Sequence, residues 1–347
     1  MDINIFKYAP KELSTDAFLK YLFLWLDRNK CLSDVADSLL LYEKDKGKKV
    51  SDITVEKQVS FGRKKADVVV YFKLDGEDKS VLFENKTNST TTKWQLNNYK
   101  SGENKYRYNY LKLGYINKVE KQICKECGYE VIDSNILYEM LEKLLVKDEI
   151  IKQYISYLND EFISSFKQIE DRFSKNEIVK VLQQKDAQAY LVDRLSDGFS
   201  KFEFDKSKLS SELDNYHIQY GSNSGGDPWT ELVFLEGKDC PDSFFWRIDK
   251  RKGKYYIRLN QYSDSKTDSK EKKLEKTSRL LDLRKFSKDY FDKITDLKQG
   301  RLIDRAENER EVIIFFFTEN DMFRLFEEIP AFSLAFQEYY KNKWAFK

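Results

Sequence analysis

Two acidic residues and a lysine stand close together in a stretch that is rich in β-branched residues. Asp67 lies near the start of the apolar run 66–74, and Glu84 and Lys86 close the next apolar run, 80–86. Residues two apart on a strand point to the same face, so Glu84 and Lys86 project together and Asn85 points the other way. Two carboxylates suit a hard divalent cation with bound water, and the neighbouring ammonium suits the orientation of that water.

The surrounding pattern predicts the elements that bring these residues together. Alternation over 54–61, the run 66–74, the turn-forming sequence DGEDK and the run 80–86 predict three antiparallel strands, two of them a hairpin. A short helix is expected over 93–100, strands over 108–115 and 129–133, and a helix capped by Ser134 or Asn135. Upstream, Ser14 or Thr15 is expected to cap a helix through 16–29, and a second helix covers 34–42. The order predicts an α/β layered domain.

The spacing of Asp67, Glu84 and Lys86 resembles the signature of the PD-(D/E)XK nuclease superfamily. The following helix carries Gln95 and Tyr99, a Q-x-x-x-Y spacing found in many members, and the helix-first layout is similar to a bacterial branch of that family. Ala66 stands where the name-giving proline would be. The resemblance covers roughly residues 1–145 and implies a restriction-endonuclease-like sandwich, a mixed central sheet flanked by helices.

The resemblance also implies a chemistry and a set of roles. It implies a phosphodiesterase that uses Mg²⁺ (or Mn²⁺) on nucleic acid, with DNA favoured over RNA. Asp67 and Glu84 would be metal ligands, the backbone carbonyl of Asn85 a further ligand, and Lys86 the water-orienting base or a stabiliser of charge. Gln95 would belong to the catalytic set. A restriction or anti-phage role follows by analogy alone, and a member that cuts duplexes would need a two-fold homodimer.

Three further residues are auxiliary candidates for the same site. Tyr99 would support the site or touch the nucleic-acid backbone, and Glu56 reaches the same face if the preceding strand pairs as expected. Glu12 precedes the first helix and resembles the early acid of some relatives, although a helix-start charge favoured by the dipole is the preferred explanation. Gln95 and Tyr99 are equally compatible with ordinary helix positions.

Local charge favours a phosphate-bearing partner. The stretch 57–112 holds 12 Lys and Arg against 6 Asp and Glu, whereas the whole chain carries a net charge of only +2. Basic residues interleaved with Tyr106, Tyr108 and Tyr110 can grip a backbone and stack bases, and the competing interpretation is a plain strand face. The residues expected to contact nucleic acid are Arg63, Lys64, Lys65, Lys93 and Arg107.

Other functions remain open at this stage. Glu84 could form an ordinary strand-end ion pair with Lys86 or Arg63. The same fold could carry a catalytically silent nucleic-acid-binding or regulatory module, or a toxin-type nuclease that cuts RNA. A silent relative would be expected to lose one of Asp67, Glu84 and Lys86, and none is lost.

Composition excludes several classes of site. A single histidine, His217, rules out multi-histidine metal sites within the chain, and it is expected to be structural. Four cysteines are too few for a disulfide scaffold, and the CxxC of Cys124 and Cys127 lacks a second pair for zinc, so a structural role in a reducing cytoplasm is expected. No apolar run reaches the ~20 residues that a membrane span needs.

The expected domain organisation has three parts. Residues 1–147 form the nuclease-like domain, 148–219 a helical connector, and 220–347 a C-terminal α+β domain for recognition, sensing or assembly, where a protein partner or trigger would act. The sequence GSNSGGDPW at 221–229 is interpreted as a flexible connector, because it lacks the Lys-Ser/Thr of a phosphate loop. The basic stretch near 270–283 predicts a solvated amphipathic helix.

Overall fold

The computed structural model divides the chain into two compact units, residues 1–168 and 169–347. The structure describes residues 4–8, 11–61, 64–100, 106–199, 217–222, 228–236, 242–251, 253–263, 268–294, 299–302, 308–316 and 322–344. Each unit is built on its own five-stranded sheet.

The first unit is an α/β domain with a mixed sheet. Its strands pair in the order β1-β2-β3-β4-β5, antiparallel from β1 to β3 and parallel from β3 to β5. The strands are β1 (Val50–Phe61), β2 (Lys64–Leu74), β3 (Glu77–Lys86), β4 (Arg107–Lys112) and β5 (Glu130–Asp133). The helices are α1 (Lys11–Arg28), α2 (Ser33–Leu39), α3 (Lys93–Asn98), α4 (Lys118–Glu126), α5 (Ser134–Glu142) and α6 (Glu149–Leu158). The predicted α/β class is confirmed.

The helix α1 buries one face against the sheet. Phe18, Leu22 and Leu26 are at most 1% exposed, as their spacing predicts. The helix begins at Lys11, so the predicted caps Ser14 and Thr15 lie inside it and the prediction of its start was wrong. This earlier start places the first turn of α1, with its acidic residue Glu12, beside the end of β3.

A tight turn fixes the register of the β2–β3 hairpin. Leu74 pairs with Glu77, so the turn is the two residues Asp75 and Gly76, with φ of 50° and 91°. Two successive positive φ values match the twist of a hairpin, and the Asp-Gly pair adopts them readily. The register that results runs to Val68 opposite Phe83.

The sheet separates two apolar clusters. Val68, Val70 and Phe83 face the larger cluster, which includes the apolar residues of α1, α5 and α6. Val69 and Leu82 face the smaller cluster, which includes residues of α3 and α4. Both faces of the central strands are therefore covered by helices, as in α/β proteins generally.

The helix α4 was missing from the sequence prediction. Asn117 caps it by accepting a hydrogen bond from the Glu120 amide. Cys124 lies in the helix and Cys127 at its end, and both thiols are free and buried. Burial raises the pKa of Cys124 above its ordinary value, which disfavours the thiolate that redox and zinc chemistry need. The structural interpretation of this CxxC agrees with that environment.

The expected boundary at residue 147 differs from the division of the structure. In α6, Ile151, Tyr154 and Leu158 are fully buried in the core of the first unit, and the ring of Tyr154 stacks 3.6 Å from that of Phe18. A π-helical turn, Asn159–Ile163, then joins α6 to α7 (Ser164–Ser174). The helices expected to connect two domains are thus shared between the units.

The second unit has an all-antiparallel sheet in chain order. The strands are β6 (His217–Ser222), β7 (Pro228–Leu235), β8 (Ser243–Arg251), β9 (Lys254–Tyr262) and β10 (Glu309–Phe316). The helices wholly within this unit are α8 (Lys185–Phe199), α9 (Lys270–Phe291) and α10 (Met322–Trp344). Short 3-10 turns span Ile5–Lys7 and Glu43–Asp45 in the first unit and Ile178–Val181 in the second.

The ends of the segment 221–229, which the sequence analysis interprets as a flexible connector, belong to two paired strands, β6 and β7. Gly221 pairs with Trp229 and Ser222 with Pro228, and residues 223–227 lie outside the described ranges. A β-carbon on Gly221 would lie 2.6 Å from the Trp229 ring, which explains the glycine. Within the described part of the chain, no helix is both long and apolar enough to cross a bilayer.

Candidate active site

The pairing of β2 with β3 stops where the candidate site begins. The last paired residues are Val68 and Phe83, and the next position opposes Asp67 to Glu84. There the Asp67 carboxylate replaces a backbone partner, because its Oδ2 accepts the Asn85 amide hydrogen at 2.8 Å. The side chain of Asp67 is thus fixed at the end of the hairpin.

Glu84 and Lys86 lie side by side at the end of β3, on the face that the alternation predicts. Lys86 Nζ donates to Glu84 Oε1 at 2.5 Å and to the carbonyl of Asn85 at 3.2 Å. Gln95 Nε2, on α3, donates to the same Glu84 Oε1 at 2.7 Å. The structure therefore brings together four residues proposed from the sequence: Glu84, Asn85, Lys86 and Gln95.

Two residues that the sequence interpretation missed support this group from the other side. Asn85 Nδ2 donates to Asp16 Oδ1 on α1 at 2.5 Å. Gln58 Nε2 lies 3.2 Å from Asp67 Oδ1 and 3.4 Å from Asp16 Oδ2, so one amide group bridges two carboxylates. Gln58 has a φ of 55°, an unusual value for a residue within a strand.

Glu12 is placed at the site by the loop that follows β3. We call residues 87–92 the site loop, because it joins β3 to α3. Glu12 Oε1 accepts hydrogen bonds from the Thr87 amide and the Ser89 hydroxyl, each at 3.2 Å. Glu12 thus holds the loop, which is a more specific role than a charge at the start of a helix.

Burial and mutual repulsion raise the pKa values of the acidic groups. Burial, with repulsion from Asp67, raises the pKa of Glu84 to about 7, although the ammonium of Lys86 opposes the rise. Burial and Asp67 raise the pKa of Asp16 to about 6. Burial also raises the pKa of Asp67 itself. Because these carboxylates lie close together and are buried, ionising all of them costs free energy unless a further positive charge binds among them.

Lys86 is held in its charged form. Burial works against the ammonium, but the carboxylates of Glu84 and Asp67 outweigh it and raise the pKa of Lys86. Lys86 is therefore suited to donate hydrogen bonds and stabilise negative charge, and it is poorly suited to accept a proton near neutral pH.

A buried polar network supports the site loop from β4. Lys112 pairs in register with Lys86 on the adjacent strand and is completely buried. Its Nζ donates to the carbonyl of Ser89 at 2.5 Å and lies 3.4 Å from Glu120 Oε1. The hydroxyl of Tyr110 donates to the same Glu120 oxygen. Lys112 thereby fixes the loop residue that also contacts Glu12.

Of the auxiliary residues Tyr99 and Glu56, only Tyr99 contacts the site within the described part of the chain. The Tyr99 hydroxyl donates to the carbonyl of Lys65 at 3.2 Å and also lies close enough to Glu84 to lower its pKa. Tyr99 is buried, so it supports the site from within. Glu56 is exposed on β1 opposite Val69, and within the described contacts it makes no hydrogen bond to Asp67 or Glu84.

The proposed nucleic-acid contacts need one correction. Arg107 is only 7% exposed, and its guanidinium donates to the carbonyls of Leu41 and Ser38, so it is a structural residue. Lys65 is exposed, and Lys93 is partly exposed and lies 3.3 Å from Glu126. Arg63 and the side chain of Lys64 lie outside the described residues. Because Arg107 and Lys112 are buried, the basic count over 57–112 overstates the surface charge.

The tyrosines in and next to β4 pack against the two apolar clusters: Tyr108 and Tyr110 against the smaller one, and Tyr106, which precedes β4, against the larger one. Tyr110 is fully buried, and the Tyr106 hydroxyl donates to Asp45 at 2.5 Å while its ring packs 5.1 Å from that of Tyr42. Tyr110 therefore belongs to a buried strand face, and the ring of Tyr106 is packed against the larger cluster, so these contacts favour a structural role over base stacking for both residues.

The donor set fits a hard cation that keeps most of its water. Glu84 Oε2 is buried and has no hydrogen-bond partner among the described residues, and it belongs to a carboxylate that burial disfavours as an anion. Among the same residues, no group of three or more His, Cys, Asp and Glu side chains is arranged to hold a metal. Asp67, Glu84 and the Asn85 carbonyl supply three oxygen donors, and Mg²⁺ often needs few because it retains several waters.

Comparisons of the chain with protein-family models, with curated proteins and with solved structures find no match.

Proposed function

We propose that this protein is a metal-dependent nuclease of the PD-(D/E)XK type, with DNA as the first substrate to test. The observation that carries the proposal is the meeting of Asp67, Glu84 and Lys86 at the open end of one hairpin, with Gln95 bonded to Glu84. The order of α1, three antiparallel strands, α3 and a parallel strand supports a restriction-endonuclease-like fold for the first unit.

The proposed mechanism assigns a task to each residue. Asp67, Glu84 and the Asn85 carbonyl would hold Mg²⁺ or Mn²⁺, which supplies an acidified water and charge stabilisation at the phosphate. Lys86, kept cationic by its neighbours, orients the attacking water and stabilises negative charge on the phosphate. Gln95 binds Oε1 of Glu84 and so fixes the orientation of this carboxylate, in which Oε2 has no hydrogen-bond partner among the described residues. Asp16 and Gln58 fix Asn85 and Asp67.

The decisive experiment compares two lysines of the same strand. Plasmid DNA, single-stranded DNA and RNA are incubated with the full chain in Mg²⁺, Mn²⁺ or EDTA. Lys86→Met removes the ammonium at the site, and Lys79→Met removes one from an exposed ion pair with Glu77 elsewhere on β3. We expect Lys86→Met to lower the cleavage rate about 100-fold or more with nucleic-acid binding retained, and Lys79→Met to match wild type.

Isothermal titration with Mn²⁺ accompanies the cleavage assay. Wild type is expected to bind the ion and Glu84→Gln to bind it much more weakly, because the substitution removes a charged ligand. Equal cleavage by wild type and Lys86→Met contradicts the assigned site. A wild-type protein that neither binds Mn²⁺ nor cuts any of the three substrates contradicts the proposed function. Cleavage of RNA alone keeps the mechanism and changes the substrate.

A further inference from the structure

A cavity of about 310 Å³ lies in the second unit between the C-terminal half of α9 and the edge of the sheet. Its floor is apolar and consists of residues 312–314 of β10, all nearly inaccessible to solvent. Arg284, Lys285 and Lys288 of α9 line one wall, and Gly300 and its neighbours line the other. The volume falls at the lower end of the range for small-ligand sites.

The charge of this cavity is one-sided. Its described lining contains three cationic side chains and no acidic one. Arg284 is anchored, because its Nε donates to the carbonyl of Glu311 at 2.9 Å. Lys285 and Lys288 are exposed and form no ion pair within the described part of the chain. The helix dipole would explain a lysine in the last turn of α9, but Arg284 and Lys285 precede that turn.

The opposite wall is held close to the sheet. The Gly300 amide donates to the carbonyl of Ile314 at 2.8 Å, which extends the edge of β10. A β-carbon on Gly300 would lie 3.2 Å from Ile314 Cγ2 and 3.4 Å from Tyr256 Cε1. The nearby acid Asp292 is not among the lining residues, and it accepts a hydrogen bond from Nε2 of the lining residue Gln299 at 3.3 Å.

We propose that this cavity binds a phosphoryl group, carried either by a free nucleotide or by a nucleic-acid strand. Three converging cations match a multiply charged anion, and guanidinium and ammonium groups are the usual phosphate donors of proteins. The apolar floor offers a surface for the sugar or base attached to the phosphate. The inference concerns a different unit from the candidate active site and does not depend on cleavage.

The test measures binding of inorganic phosphate, ATP and a single-stranded 12-nucleotide DNA to the full chain in EDTA. Lys285→Ala/Lys288→Ala is compared with Lys270→Ala/Lys272→Ala, which removes two exposed lysines from the first turn of the same helix. Both double variants change the net charge equally. We expect the cavity variant to weaken binding at least about tenfold and the control variant to leave it nearly unchanged.

The three ligands separate the sources of the phosphoryl group. Binding of phosphate or ATP that the cavity variant loses indicates a free nucleotide, and a loss seen with the DNA alone indicates a strand. Gly300→Val adds a side chain to the wall without changing the charge, and it is expected to weaken the binding of the same ligand. Equal losses in both double variants would reduce the effect to nonspecific attraction and overturn the proposal, as would the absence of binding by all three ligands.

Discussion

Burial works against the charge of Glu84, and this conflict has a measurable effect on stability. The carboxyl has an ordinary pKa of 4.5 and a folded pKa of about 7. Between these values the folded protein binds a proton on Glu84 that the unfolded chain has released, so the contribution of this group to stability is fully present below pH 4.5 and is lost as pH rises through about 7. The loss from this group is on the order of 3 kcal/mol.

We expect denaturant unfolding in EDTA to show that decline for wild type between pH 5 and pH 8. Glu84→Gln should reduce the slope without abolishing it, because an amide does not titrate, whereas Asp16, with a pKa raised to about 6, and Glu231, with a pKa raised to about 7, still do. Glu77→Gln, at an exposed position of the same strand, should keep the wild-type slope. An unchanged slope in Glu84→Gln would mean that another group causes the decline. Mg²⁺ should stabilise wild type more at pH 8 than at pH 5, because protons compete for the same oxygens.

The site residues that could be predicted from the sequence are those whose contacts are local in the chain. Asp67, Glu84 and Lys86 were predictable because period-two alternation and one hairpin suffice to bring them together. Asp16 and Gln58 were not, because their contacts join α1 to strands that are distant in sequence. Asp16 alone has the appearance of an ordinary acid in an amphipathic helix, and nothing in the sequence gives Gln58 its positive φ.

The strand β4 and the site loop are coupled through one buried ammonium. Lys112→Met should destabilise the protein by roughly 3–5 kcal/mol, because it removes the buried ammonium that lies 3.4 Å from Glu120 Oε1. It should also release Ser89, so amide hydrogen exchange in residues 87–98 should become at least about tenfold faster. Lys121→Met, an exposed lysine of α4, should change neither quantity.

A double variant separates positioning from stability. Lys112→Met/Glu120→Gln removes both charges and should recover part of the lost stability, but the Ser89 carbonyl still lacks its donor. Exchange in 87–98 should therefore stay fast. Recovery of slow exchange in the double variant would show that Lys112 acts on stability alone.

Helices and strands with a strong apolar periodicity were predicted correctly from the sequence, whereas segments of mainly polar or charged residues were not. The β2–β3 hairpin, α3 and the later strands β8, β9 and β10 follow their apolar patterns closely. The helix α4 was missed because residues 118–126 are mostly charged, and its cap and buried face become evident only with β5 beside it. The glycine-rich segment 221–229 has the composition of a linker, yet its ends pair as strands.

The division of the whole molecule predicts which fragments fold. Residues 1–168 retain α6, whose Tyr154 stacks on Phe18 and packs 4.9 Å from Phe6. Residues 1–147 lose that helix and expose the core beneath it. We expect the fragment 1–168 to unfold cooperatively and the fragment 1–147 to aggregate or lack a transition, as measured by circular dichroism. Equal folding of the two would place the boundary where the sequence suggested.

Gln58 has a strained backbone with a positive φ, and its side-chain amide bonds two carboxylates of the site. Gln58→Gly removes the penalty on a left-handed residue, roughly 1 kcal/mol, and also the amide that joins Asp16 to Asp67. We expect a stability within about 1 kcal/mol of wild type and a weaker affinity for Mn²⁺. Unchanged affinity would show that the amide is dispensable.

This trade-off has a consequence for laboratory evolution. Selection for heat resistance alone would treat position 58 as neutral and accept glycine or asparagine there. If the proposed Mg²⁺ or Mn²⁺ site is correct, a lineage selected in that way would become more stable while losing affinity for the metal ion. Libraries built on this scaffold should therefore be sorted for ion affinity and heat tolerance together.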